Sequence, residues 1–211
     1  TAGRFKEGVE SGREAVRLLE EAGDVWEANM ARIILSFPLY LIGDHESAAV
    51  EARKAYYIGQ DTGDVSSVVI ALWFGAIYAV DQVPEGLITS ELGQPSRDPL
   101  SDVSIILARA QELLLREDNP REAAEFFQKG LDVAKQRGLR NPCVFCALTW
   151  KTQALRIVAE RAPEGTARNS ALKQARKSAR HALLTTRLYL TSRPHALREM
   201  ADVLKAEGVE V

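Results

Sequence analysis

Arginine recurs beside a small residue in the apolar stretches of this chain, and its side chain is well suited to binding carboxylates. The repeated groups are Ala31-Arg32, Ala108-Arg109, Ala154-Leu-Arg156 and Ala196-Leu-Arg198. A guanidinium group is planar and donates two parallel hydrogen bonds to a carboxylate. The predicted partner-binding residues are the arginines Arg32, Arg109, Arg156 and Arg198, together with Glu112 and Lys151. The alternative is that each arginine pairs with an acidic residue of a neighbouring helix, such as Glu27, Glu112 or Glu199.

No arrangement of residues in the sequence points to catalysis or to a cofactor. There is no glycine-rich phosphate loop with its lysine, and no Ser/His/Asp or paired-carboxylate arrangement stands out from ordinary helical charge. The two cysteines, Cys143 and Cys146, lie in an apolar helical stretch with no second cysteine pair. We interpret them as reduced structural residues rather than as a redox pair or half of a zinc site. We expect no enzymatic activity, no metal and no cofactor.

Charge is unevenly distributed along the chain, although the net charge is only −2. Residues 1–100 contain 16 acidic and 8 basic side chains, whereas residues 101–211 contain 13 acidic and 19 basic ones. One predicted helix has six basic residues with no acidic residue between them: Arg168, Lys173, Arg176, Lys177, Arg180 and Arg187. Such a stripe is typical of nucleic-acid binding, but no aromatic residue is interleaved for base stacking. We interpret it as a solvated face or a dock for an acidic neighbour.

The expected location is the cytoplasm, and the expected form is a part of a longer protein. No apolar run reaches the roughly 18 residues of a membrane span, and the cysteines fit a reducing compartment. The chain does not begin with Met, and its last predicted helix has no following partner. We expect a single repeat domain over residues 1–211, interrupted by an irregular insertion at about 83–99.

Helical periodicity extends over almost the whole chain, and strand patterns are absent. The predicted helices are Arg4–Ala22, Val25–Ile42, Glu46–Thr62, Val65–Val80, Leu100–Arg116, one from about Pro120, Pro142–Arg161, Thr166–Leu190 and Pro194–Glu207. Gly-Asp pairs at 23–24, 43–44 and 63–64 predict the turns, with Asp24 as a plausible N-cap. The three tryptophans lie among apolar neighbours and are predicted to pack in the core.

A stripe of small residues repeats along alternate helices. Its copies are Gly8, Gly12 and Ala15; Ala48, Ala52 and Ala55; Ala123, Phe127 and Gly130; and Ala175, Ala179 and Ala182. The spacing within the stripe is the same in every copy, and each of the first three copies is followed by a turn glycine at the same distance. Small residues let a partner helix approach closely, and a recurring spacing indicates that the same helix pair is stacked repeatedly.

These helix pairs resemble tetratricopeptide repeats. The resemblance rests on the small-residue stripe, on aromatic residues in the apolar helices and on the Gly-Asp turns, and it covers nearly the whole chain. The period is longer than the roughly 34 residues of the standard repeat, and the repeat-closing proline is missing. In both respects the repeats of this chain look more like the irregular repeats of large bacterial signalling and regulatory proteins built around a signalling ATPase. The stretches 106–114, 148–156 and 194–199 most resemble that subgroup. The resemblance implies a right-handed superhelical array of antiparallel helix pairs, an all-α solenoid.

The expected function is protein–protein interaction or sensing within such a regulator. In tetratricopeptide-like stacks the first helix of each pair lines the concave face, so the arginines would face a groove that binds an acidic partner segment. The partner would be a protein, a peptide or a neighbouring domain of the same chain. One alternative is a structural linker or an oligomerisation module that associates through exposed solenoid ends. Another is a small-molecule sensor with an apolar pocket near the insertion at 83–99.

Overall fold

The computed structural model describes residues 4–94, 98–187 and 190–209, without the side chains of Pro142 and Cys143. All regular secondary structure within these residues is helical, which confirms the all-α prediction. The α-helices are α1 Phe5–Glu21, α2 Val25–Leu41, α3 His45–Thr62, α4 Val65–Ala79, α5 Leu87–Leu92, α6 Pro99–Leu115, α7 Pro120–Gln136, α8 Pro142–Phe145, α9 Ala147–Arg161, α10 Thr166–Thr185 and α11 Arg193–Ala206. Short 3₁₀ segments occupy Val80–Gln82 and Leu190–Ser192.

The chain packs as two compact units, Thr1–Gln111 and Glu112–Val211. In the first unit, α2 packs against α1, α3 and α4. In the second unit, α9 packs against α7, α10 and α11. In each unit, one helix therefore contacts three others that are adjacent, or next but one, along the chain.

Three turns of the first unit share one geometry and recur at equal intervals along the chain. Gly23, Gly43 and Gly63 each adopt a positive φ, between +70° and +88°, which is a conformation that glycine adopts without a steric penalty. The aspartate that follows each glycine donates its backbone N–H to a carbonyl of the preceding helix, at 2.8–3.0 Å. Its carboxylate then accepts a backbone N–H from the first turn of the next helix, at 3.1–3.2 Å. The Gly-Asp pair thus ends one helix and caps the next.

The small-residue stripe of α3 lies at the centre of the first unit. Ala48, Ala52 and Ala55 are at most 2% exposed. The buried side-chain amide of Asn29 on α2 donates to the carbonyl of Ala55 at 3.2 Å. This contact is possible because an alanine on α3 lets the backbones of the two helices approach.

The described part of the insertion between α4 and α6, up to residue 94, packs partly into the fold. Val83 and Ile88 are buried, and α5 supplies one short helix within the region predicted to be irregular. Asp98 then begins α6 by accepting hydrogen bonds from Ser66, from Ser101 and from the backbone of Leu100. Partial burial raises the pKa of Asp98, but these hydrogen bonds outweigh it and hold the pKa below its ordinary value.

Three local predictions are wrong. The helix predicted over Pro142–Arg161 is interrupted by a turn at Cys146, which separates α8 from α9. The basic helix ends at Thr185 rather than at Leu190, because Thr186 and Arg187 form a turn. Trp26 is not a core residue, since it lies in the first turn of α2 and is 54% exposed. Helical periodicity identified these segments but did not resolve how their ends pack.

Among the described residues, one segment is long and apolar enough to cross a membrane. It is Val65–Gln82, with a mean hydropathy of 1.5. Some 56% of this segment is buried inside the fold, which is also expected of the central helix of a folded unit.

Candidate functional site

A groove runs along the second unit between α7 and α10, with α9 as its floor. Its volume is about 1120 Å³, and it is open to solvent. Its α7 wall extends from Arg121 to Gln136, which corresponds to about 22 Å at about 1.5 Å per residue. An extended polypeptide of about seven residues has that length.

The α7 wall presents the polar face of an amphipathic helix. Ala123, Phe127 and Gly130, the predicted small-residue stripe, are buried on the opposite side of the helix. The helix begins at Asn119, whose side-chain oxygen accepts the backbone N–H of Glu122 at 3.3 Å. Because the stripe fixes which face is buried, the groove receives the alternating charges of Arg121, Glu125, Lys129 and Asp132.

Lys151 occupies the floor of the groove. It projects from α9, is partly buried, and donates a hydrogen bond from its ammonium group to the side-chain oxygen of Gln128 on α7. Burial lowers the pKa of Lys151; the charge of Lys177 adds to this, and Asp132 acts against it without reversing the direction. The side chain that accepts the hydrogen bond of this ammonium is a neutral amide. A negatively charged partner would compensate better for the burial of the positive charge.

The α10 wall adds further positive charge. Lys177 and His181 line the groove, and the same two residues line a shallower depression on α10 beside Lys173, Arg176 and Arg180. Within the wall, Thr152 on α9 donates to the hydroxyl of Ser178 on α10 at 2.9 Å. Besides His181, the groove has four basic and two acidic lining residues, whose charges sum to +2.

The opposite side of α9 holds a buried ion pair. Arg156 donates to Glu199 of α11 at 2.9 Å and to Glu160 at 2.8 Å. Glu199 is 1% exposed, and His195 lies 3.6 Å from its carboxylate. Burial alone would raise the pKa of Glu199, but the hydrogen bonds from His195 and Arg156 and their charges lower it below its ordinary value. The rings of Trp150 and His195 pack edge to face, with their centroids 4.7 Å apart.

Of the predicted partner-binding residues, only Lys151 lies in the groove. Arg156 and Arg198 meet at Glu199, where Arg198 is the more exposed and lies 3.3 Å from the carboxylate. Glu112 is buried and accepts a hydrogen bond from Arg116 at 2.9 Å. Arg156 therefore pairs with an acidic residue of a neighbouring helix, Glu199, which was the alternative to partner binding.

In the first unit, Arg32 also has acidic partners. It bridges Glu20 of α1 and Glu51 of α3, the latter at 2.8 Å, and its side chain is 11% exposed. Its partners differ from the expected Glu27. Arg109 on α6 is half-buried and has interactions of its own. A role for these arginines in binding a partner stays a prediction.

Of the two helices that form the walls of the groove, α10 was predicted to be a solvated face or a dock for an acidic neighbour, whereas α7 was given no binding role. The predicted residues come from the apolar helices, whereas Gln128 and Lys177 belong to the small-residue helices α7 and α10. The available signal was the polar face opposite each small-residue stripe. A sequence does not show which polar faces converge, so the groove itself was not predicted.

In the part of the chain that the structure describes, no group of His, Cys, Asp or Glu residues could hold a metal ion. Cys146 is a free, half-buried thiol, whereas Cys143 lies outside the described side chains. Comparisons with protein-family models, with curated proteins and with solved structures give no significant match to this chain. The groove therefore has to be interpreted from its own chemistry.

Proposed function

We propose that this chain is a tetratricopeptide-like interaction module of a larger regulatory protein, and that the groove of its second unit binds an acidic segment of a partner protein. The module would be a right-handed superhelical array of antiparallel helix pairs. The shared contact pattern of the two units and the evenly spaced Gly-Asp turns support this architecture. A rigid scaffold loses little conformational entropy when it binds, so a short segment is sufficient.

The observation that carries the proposal is the ammonium group of Lys151 on the floor of the groove. A carboxylate reaching Lys151 would replace or share the neutral acceptor Gln128 and form a charge-assisted hydrogen bond. Lys177, Lys129 and Arg121 on the walls would favour an approaching negative charge. Leu155 and Val158 on the floor offer apolar contacts for the side chains between the acidic ones.

The proposal is tested with a fluorescein-labelled peptide in which glutamate and leucine alternate over about seven residues. Fluorescence anisotropy with the whole chain should show saturable binding that weakens as salt is added. A peptide with glutamine in place of glutamate should bind at least about tenfold more weakly, because a hydrogen bond to a charged group contributes about 1.5–3 kcal/mol. Equal binding of the two peptides would refute recognition of the carboxylates.

The site is tested by Lys151→Met, which removes the charge and keeps an unbranched side chain only one atom shorter. This variant should weaken binding of the glutamate peptide about 10- to 100-fold. Lys205→Met is the matched control, because Lys205 is exposed on α11 and does not line the groove. Circular dichroism would establish that both variants are folded. Unchanged affinity in folded Lys151→Met would place the peptide elsewhere.

A second candidate function, self-association, is favoured by an exposed apolar stretch on α2. Trp26 is 54% exposed and Ile34 is 64% exposed. With Met30 between them, they follow the i, i+4, i+8 spacing of one side of a helix. Sedimentation equilibrium would detect a dimer, and Trp26→Ser together with Ile34→Ser should dissociate it. A wild-type chain that remains monomeric at high concentration removes this candidate.

A further inference from the structure

A small apolar cavity lies in the first unit between α3, α4 and the insertion that follows α4. Its volume is about 60 Å³. Ala52 of α3 and Ala71, Gly75 and Ala79 of α4 form two of its sides. The third side consists of residues from the insertion: Val83, Pro84 and Leu87.

The cavity exists because the α3–α4 pair is tight at one end only. Near the turn, a Cβ on Gly59 would lie 3.1 Å from the Val68 side chain, so the helices are in close contact there. Further along, short side chains leave space between the helices. The insertion then covers this space, and at Gly75 a Cβ would meet the Val83 side chain at 3.3 Å.

Polar side chains line the exposed margin of the cavity. Arg53 is exposed, and its guanidinium donates to the side-chain oxygen of Gln82 at 3.3 Å. This is a long hydrogen bond to a neutral partner. Tyr56 and Tyr57 line the same region, and Tyr57 is 55% exposed. The cavity thus combines an apolar interior with a guanidinium that can turn to a carboxylate.

We propose that this cavity binds a short aliphatic carboxylic acid, with its hydrocarbon tail between α3 and α4 and its carboxylate on Arg53. The size of the tail follows from the volume. A cavity of about 150 Å³ holds the six carbons of benzene, so about 60 Å³ holds about two or three carbons, with the rest of the molecule at the mouth. The branched end of 3-methylbutanoate has that size. This site lies wholly within the first unit and does not depend on the peptide groove.

The test is a titration of the whole ¹⁵N-labelled chain with sodium 3-methylbutanoate at constant ionic strength, followed by amide chemical shifts. The expected result is saturable shifts at Gly75 and Val83 with a dissociation constant in the millimolar range, since so small a ligand makes few contacts. The uncharged, shape-matched 3-methylbutanamide should bind at least about tenfold more weakly, because it cannot form the charge-assisted pair. No saturable shift up to about 30 mM acid, or equal affinity for acid and amide, overturns the proposal.

Variants assign the two halves of the ligand separately. Arg53→Gln should weaken binding at least about tenfold, whereas Lys54→Gln, at the exposed neighbouring position outside the cavity, should not change it. Ala79→Leu should abolish binding by filling the cavity from a half-buried position. Its amide spectrum shows whether it is folded, and Arg53→Gln alters only an exposed side chain. Undiminished binding in Arg53→Gln or in folded Ala79→Leu contradicts the site.

Discussion

The ion pair between Arg156 and Glu199 offers the sharpest test of how the second unit is held together. Glu199→Gln keeps the size of the side chain but removes the negative charge beside Arg156. Breaking a buried ion pair by removing one partner costs about 3–5 kcal/mol, because the other charge stays buried without compensation. Arg156 keeps its second, more exposed partner Glu160 at 2.8 Å, so we expect the lower end of this range, about 3 kcal/mol.

Glu160→Gln is the matched control, since it removes the other carboxylate from the same arginine. The Glu160 side chain is 42% exposed, and exposed ion pairs contribute about 0–1 kcal/mol. Replacing Arg156 with Met should be as costly as Glu199→Gln when made alone. The double variant, Arg156→Met with Glu199→Gln, should cost less than the sum of the two single changes, since neither buried charge of the pair is then left without the other.

The assay is urea unfolding followed by the fluorescence of Trp150, in a background where Trp26 and Trp73 are replaced with Phe. Trp150 reports on the correct unit because its ring packs against His195, which itself contacts Glu199. Circular dichroism on the same samples checks that the fluorescence follows unfolding. If Glu199→Gln is no more destabilising than Glu160→Gln, the account of a charge-compensated buried pair is refuted.

Three further results are expected. Gly63→Ala should destabilise the chain by about 1–2 kcal/mol in urea unfolding because φ is +70°, whereas Gly93→Ala, at a helical φ of −76°, should be close to neutral. Because the pKa of Asp98 is lowered in the fold, its stabilising contribution is present above the ordinary carboxyl pKa and is lost as the pH falls; the wild type should lose stability below about pH 4 more steeply than Asp98→Asn. Lys151→Met should raise the free energy of unfolding by about 1 kcal/mol while it weakens peptide binding, and a loss of stability would show that the buried ammonium is well compensated.

Local signals in the sequence predict most helix ends in this chain. Two adjacent residues predict each turn: a glycine that adopts a positive φ and an aspartate that caps the next helix. The bounds of α1 to α4 agree with the prediction to within two residues. Asn119 before Pro120 marks the start of α7 in the same way. These signals are legible because they depend on residues next to one another in the chain.

The candidate site depends on residues far apart in sequence, so it was predicted only in part. Lys151 was among the predicted binding residues, but its neighbour Gln128 is 23 positions away and belongs to a helix that was given no binding role. Arg32 and Arg156 matched the search for carboxylate binders equally well, yet their carboxylates come from within the fold. The sequence shows that an arginine can bind a carboxylate, but it does not show whether that carboxylate belongs to the same fold or to a partner.

The equal spacing of the Gly-Asp turns makes the joints of the first unit interchangeable. Each joint presents the same left-handed glycine and the same capping carboxylate, so the chain from Gly23 to Thr62 could be removed and Ala22 joined to Gly63 without creating a new kind of turn. Duplication of the same segment would add a second copy of α2 and α3, joined by the same kind of Gly-Asp turn. Removing or adding this pair of helices would therefore leave the local signals that end and start each helix unchanged.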